Sequence, residues 1–339
     1  MKSATFKPLR RTFIKGSAAA TAAVATGFPL IAKGEPEHKL RLATLAPDGS
    51  SWHRAFKKVA REVKAQTDGR IVLKIYAGGV MGDEPAMVRK MRTGQLDGAA
   101  ITNVGLGEIN RQLLMLQMPL LFRNYDELDR VRGAMSDKFE GLLGDAGFRL
   151  SGWGDVGATY LFANKPIRVP GDTKATKMWV WDTDPVSNEV MKVAGVNAVP
   201  LSVPDVLPSL QTGVIDAFLN SPYGAIALQW YTKAAYITNL KLSMTIGGSV
   251  MTQKAWAKLS DADQEILTRI SQSTHGTLLR RIRKDNNKAI TALKDKGIQV
   301  VEPENFAAWK TLADSVRQNL TGGIFDRALV DEMMGHLGR

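Results

Sequence analysis

The chain has 339 residues, no cysteine, 44% hydrophobic residues and a formal charge of +12. The absence of cysteine excludes disulfides, thiol catalysis and thiolate metal sites, and the length suits about two domains with cores of their own. The basic balance does not read as a nucleic-acid footprint, because charge signs alternate, as in Lys284-Asp285 and Lys294-Asp295-Lys296.

Five of the positive charges, Lys2, Lys7, Arg10, Arg11 and Lys15, stand together at the start, which leaves +7 for the remainder. They precede an Ala-rich, modestly apolar stretch, Gly16–Thr26, that ends in small residues near Ala32. Residues 1–33 therefore read as a cleavable signal peptide, and Arg10-Arg11 followed by Phe13 and Lys15 gives it the twin-arginine form. The protein is expected to be exported to the periplasm.

His38–Thr44 reads as the first strand. Asp48-Gly49-Ser50-Ser51 forms a turn and cap, and Trp52, Phe56, Val59, Ala60 and Val63 recur at helical spacing until Thr67-Asp68-Gly69. A strand over Arg70–Tyr76 follows. Asp83 caps a helix through Met87, Val88 and Met91, and Asp97–Thr102 is the next strand. This alternation predicts an α/β fold with largely parallel pairing. Residues 262–296 form one proline-free helical stretch, about 50 Å long if unbroken. A strand near Gln299–Val301 and a helix over Phe306–Asn319 close the chain.

One pattern occurs twice. Met91-Arg92-Thr93-Gly94-Gln95-Leu96-Asp97 is echoed by Leu210-Gln211-Thr212-Gly213-Val214-Ile215-Asp216. Each reads as a helix end, a glycine cap and the start of a strand. The echo predicts two similar α/β units.

No catalytic motif is present. His38, His53, His275 and His336 are scattered and form no HExxH pair, and there is no GxSxG elbow, P-loop or GxGxxG turn. His53 reads as a polar or capping residue, and Asp155, Asp182 and Asp184 as loop and cap aspartates. The expectation is no enzyme, no cofactor and no metal.

The mature chain resembles the solute-binding proteins of tripartite ATP-independent periplasmic (TRAP) transporters. The resemblance rests on ordered segments along most of the chain. These are Thr44-Leu45-Ala46-Pro47 with Ser51-Trp52, Gly78-Gly79-Val80-Met81-Gly82-Asp83-Glu84, and the first copy of the repeated pattern. Later come Asn164-Lys165-Pro166-Ile167-Arg168, Pro200-Leu201-Ser202 and the second copy. It implies a two-lobed periplasmic binding protein of type II-like form, with a ligand cleft between lobes and the long helix spanning both. The lobes are expected over 38–155 with 245–275, and over 156–244 with 276–335. The implied partner is an ion-driven TRAP-type membrane permease, in some branches with a periplasmic helical-repeat protein as well.

The sequence departs from the family where the family usually grips a substrate carboxylate with arginine. In Thr176-Lys177-Met178-Trp179-Val180-Trp181 that place holds Trp179, and the second frequent basic position falls in Ala158–Phe162, also without arginine. An indole has one donor and no charge. Trp179 and Trp181 face the same side of a strand. The site expected from these considerations is Trp52, Asn103, Tyr160, Trp179, Trp181, Phe218, Asn220 and Tyr223, favouring an apolar or aromatic solute. Trp153, Phe162 and Trp230 are assigned to the core. The alternatives are a small carboxylate held by Arg89, Arg92, Lys177 or backbone donors, and a periplasmic sensing module of the same fold.

Overall fold

The computed structural model describes residues 35–339; the expected signal peptide lies outside the described residues. β1 (His38–Thr44), α1 (Ser51–Gln66), β2 (Ile71–Tyr76), α2 (Glu84–Arg92), β3 (Gly98–Thr102) and α3 (Asn103–Ile109) come first. α4 (Tyr125–Ala134) and α5 (Ser136–Asp145) lead to β4 (Phe148–Ala163). There follow β5 (Trp179–Trp181), α6 (Pro185–Ala194), β6 (Val199–Leu201), α7 (Val203–Thr212), β7 (Ala217–Asn220) and α8 (Pro222–Ala227). β8 (Tyr236–Thr252), α9 (Gln253–Trp256), α10 (Asp261–Asp295), β9 (Gln299–Val301), α11 (Phe306–Leu320) and α12 (Arg327–His336) complete the chain. Among the described residues, no helix is long and apolar enough to cross a membrane.

The main sheet has the order β2-β1-β3-β8-β4-β7, with β9 on β8, while β5 and β6 pair separately. The expected predominance of parallel pairing is corrected here. β1 is parallel to β2 and β3, β5 to β6, and β8 to β9, but β8 is antiparallel to β3 and to β4, and β4 to β7. The cause is the length of two strands. β4 has 16 residues and β8 has 17, so the pair runs from the β1–β3 end of the sheet to the β7 and β9 end. Its register shifts at Leu150/Gly152, Asp155/Gly157 and Thr159/Leu161. Such bulges bend a strand and re-aim its side chains.

The repeated pattern reappears as two corners that share their main bonds. Gly94 and Gly213 both have φ +74°, the left-handed conformation that suits glycine after a helix. Asp97 Oδ2 accepts from the backbone N–H of Arg41 (2.8 Å), and Asp216 Oδ1 accepts from that of Lys177 (2.7 Å). The same two basic side chains donate to the carbonyls of Gly94 and Gly213. Each aspartate thus fastens its helix–strand corner to the neighbouring strand segment.

The 35-residue α10 packs on β4, α1 and α8. Asn286 in it donates to the carbonyl of Val156 (2.9 Å) and accepts from the N–H of Tyr223 (3.1 Å), tying the central bulge of β4 to α8. This close approach requires Gly157. Its φ is +133°, and a Cβ there would lie 2.4 Å from Asn286 Nδ2. Gly157→Ala is expected to destabilise the protein by about 1–3 kcal/mol through backbone strain and loss of the Asn286 bonds. Thermal unfolding checks this: a fall of several degrees is expected, whereas an unchanged melting temperature would show that Asn286 can move away without loss.

Candidate functional site

A cavity of about 190 Å³ lies against the bulged middle of β4. Gly154, Asp155, Val156 and Thr159 of β4 line it, with Thr44, Trp52 and Phe56 on one side and Trp179, Trp181 and Trp230 on another. Trp179 and Trp181 share one face of β5, their ring centroids 6.1 Å apart, and Trp230 meets Trp179 edge-on at 5.1 Å. Hydroxyl groups come from Thr44, Thr102, Thr159, Ser187, Ser243, Thr245 and Ser249.

Three of the four indole N–H groups are already engaged. Trp179 donates to the carbonyl of Leu201 (3.0 Å), Trp52 to that of Asp155 (3.0 Å), and Trp181 to Asp83 Oδ2 (2.8 Å). Asp83 Oδ2 also accepts from the N–H of Val203 (3.1 Å), so one carboxylate before α2 holds β5 and the start of α7. Burial raises the Asp83 pKa above the ordinary carboxylate value, against the pull of its donors. Ser51 N–H donates to the Tyr223 hydroxyl (2.9 Å), and the Tyr223 ring leans on Trp52 with centroids 4.8 Å apart.

Among the described residues, no lysine or arginine lines this cavity. The guanidinium groups that reach its wall are turned to acids. Asp155, itself 1% exposed, accepts from Arg132 Nη1 (2.9 Å) and Arg283 Nε (2.8 Å), and both arginines also pair with Asp129 at 2.7 Å. Two cations and two anions balance. Burial lowers the Arg283 pKa, but Asp129 and Asp155 outweigh it, and the net shift is upward.

Acids of the chain also occupy the helix N-termini around the cavity. Such termini are ready seats for anions. Glu84 takes the start of α3, accepting from Thr102 N–H, Thr102 Oγ1 and Gly105 N–H, each at 2.8 Å. Asp184 caps α6, accepting from Val186 N–H at 3.0 Å and from Gln117 and Ser187. Both acids line the cavity. Burial, then the nearby Asp83, push Glu84 up to about 8 against its three donors. Burial likewise raises Asp184, against Ser187 and Gln117.

Of the eight residues expected from the sequence, Trp52, Trp179, Trp181 and Asn220 line the cavity. The other four stand elsewhere. Asn103 is fully buried, its side-chain oxygen accepting from Ile246 N–H (3.0 Å), so it braces β8 rather than the cavity wall. Tyr160, the register partner of Asn220, is not among the lining residues; it is buried, which raises its pKa. Phe218 stacks on Phe162 at 4.9 Å, one layer behind Trp230. Tyr223 stands behind Trp52. Arg89, Arg92 and Lys177 are exposed and outside the cavity. Trp230 combines the core role expected of it (2% exposed) with a place in the wall. His53 is part of the α1 cap, its Nδ1 accepting from Gly49 N–H (3.2 Å). The sequence reading missed Glu84 and Gln117 and read Asp184 only as a loop or cap aspartate; the reach of Glu84 to Thr102 and of Gln117 to Asp184 was not visible.

Residues 42–321 match the DctP family, bacterial extracellular solute-binding protein family 7. The chain belongs to this family. Its members are binding receptors of TRAP transporters, not enzymes. A solute-binding protein of Roseobacter denitrificans is 26% identical over 329 residues, covering 95% of this chain and 98% of the relative. The sialic acid-binding periplasmic protein of Vibrio cholerae is 23% identical over 276 residues, covering 78% and 83%. Among solved structures, the R. denitrificans TRAP protein with bound L-galactonate superposes with a TM-score of 0.82 at 24% identity, covering 89% of this chain and all of that one. A TRAP protein of Desulfovibrio salexigens with bound orotic acid gives 0.81 at 19% identity, covering 89% and 99%. These likenesses confirm the fold.

In this TRAP protein the raised pKa of Glu84 has a thermodynamic consequence. The folded state holds the proton up to about pH 8, whereas an unfolded chain releases it near 4.5. Stability from this group is therefore complete below about pH 4.5 and is lost as pH rises toward 8. The melting temperature of the wild type relative to Glu84→Gln should fall between about pH 5 and 8 and level off above that. A difference that stays flat, or grows with pH, would show that Glu84 is ionised in the folded protein throughout.

Proposed function

We propose that this chain is the periplasmic receptor of a TRAP transporter for an uncharged organic solute of largely apolar or aromatic character, handed to a TRAP-type membrane permease. The observation that carries the reading is the charge inventory of the cavity. Among the described residues, Asp155, Asp184, Glu84 and His275 are the titratable groups of its wall, and no lysine or arginine lines it; burial favours the neutral forms of Glu84 and His275. An anionic solute would lose its hydration without gaining a cation, a cost of several kcal/mol. The solutes named in the related structures, L-galactonate, D-glucuronate and orotic acid, all carry a carboxyl group. Here Trp179 stands where the family resemblance places the carboxylate-gripping arginine. Indole faces instead offer area and dispersion contact.

In this reading the two expected lobes close on the solute. The Asp83 bonds to Trp181 and Val203, and the Ser51–Tyr223 bond, cross between the segments assigned to different lobes. They would be made in the closed form and broken on opening. A solute that touches both sides stabilises closure through its extra affinity for that form.

Thermal unfolding against two panels tests the proposal, one of uronates and aldonates, the other of neutral aliphatic and planar aromatic solutes. Only the neutral panel should raise the melting temperature. A solute at a hundred times its Kd adds about 2.7 kcal/mol of stability. Trp52→Ala, at a half-buried position, should weaken binding of any hit at least tenfold. Stabilisation by an acid sugar alone would establish the alternative, a small carboxylate held by the wall hydroxyls without arginine.

A further inference from the structure

A second cavity, about a third of the size at about 60 Å³, lies beside the main one. The two share the wall residues Gln117, Ser187, Leu219 and Ser243. Beyond that partition the second cavity opens into an apolar cluster that includes Leu161, Met178, Met191, Val196 and Trp309. An apolar space of this kind offers no partners to hold water.

The partition is built so that it can be passed. Its residues come from four separate segments: the 3-10 turn Arg111–Gln117, α6, β7 and β8. None of the four is a sheet-register partner of another: Leu219 pairs with Leu161, and Ser243 with Thr159. The polar pair, Gln117 and Ser187, both donate to Asp184, so their hydrogen bonds are met inside the wall. A third cavity, lined by Leu42, Val59 and Leu267, differs in this respect. Its partition from the main cavity includes Thr44, Ala100 and Ser249, which are successive register partners across β1, β3 and β8. The sheet itself closes that route.

We infer that the solute is elongated, with its head in the main cavity and an unbranched aliphatic tail passing Leu219 into the second one. The inference rests on the uncharged, apolar ligand proposed above and adds its shape. Selectivity would then include a ruler. Affinity rises with each methylene that enters the side cavity and stops rising when the chain meets α11 at Ala313.

The test uses n-alkyl primary amides from butanamide to tetradecanamide, with Kd measured by calorimetry on the mature protein. In the wild type, affinity should rise about fourfold per methylene and then level off at a definite length. Ala313→Met, which fills the side cavity, should level off at a shorter chain and lose about fourfold for each methylene shut out. Ala194→Leu, at a half-buried position on the same cavity wall, gives the same readout should Ala313→Met fold poorly. Amides that bind with a plateau at the same length in the wild type and the variants, or with no dependence on length, would overturn the side-cavity inference alone. Failure of every amide to bind would overturn it together with the uncharged-solute reading.

Discussion

The position of Asp155 between Arg132 and Arg283 is the constraint on which the site depends. Asp155 comes from the bulged centre of β4, Arg132 from α4 and Arg283 from α10, so one buried carboxylate joins three elements, and Asp129 of α4 adds a second ion pair to Arg283. Removing any one member would leave an uncompensated buried charge, the costly way to break such a pair. Geometry and function are coupled through it. The arrangement fixes the strand that floors the cavity and keeps both guanidinium groups from a solute. Glu84 and Asp184 do the same at the helix ends, holding donor groups that an anionic ligand would otherwise use.

The remaining architecture brings two copies of one local design to that floor. The helix–glycine–strand corners at Gly94 and Gly213 each supply cavity residues just downstream, Ala100 to Thr102 on one side and Leu219 to Asn220 on the other. β4 and β8 run past both corners as continuous strands. The bonds from Asp83 to Trp181 and from Ser51 to Tyr223 join segments far apart in the sequence beside the cavity.

Much of this was legible in the sequence. His38–Thr44, the Ser50 and Asp83 caps and the long helix are local events, set by capping chemistry and by apolar spacing. The repeated corner was legible because glycine and aspartate each do one indispensable thing there. The pairing of Trp179 with Trp181 on one side followed from strand geometry alone. The long strands β4 and β8 were not legible. Gly152, Gly154 and Gly157, with Gly247 and Gly248, carry no strand signal of their own, yet they permit bulges and the close approach of α10 and β3. Asn103, Tyr160, Phe218 and Tyr223 lay in the right segments, but facing and depth depend on tertiary packing. Nothing in the sequence showed that Glu84 reaches Thr102, because that contact is made only when α2 and β3 come together.

The central claim is that this cavity rejects a negative charge and accepts apolar bulk. The most direct measurement is calorimetric titration of the mature protein with a matched pair, octanamide and octanoate, at pH 7.5. The two ligands share their chain, so the difference in Kd reports the charge. The account predicts that the amide binds at least tenfold more tightly. Tighter binding of octanoate would show that a cation or donor array reaches the solute after all, and would contradict the account.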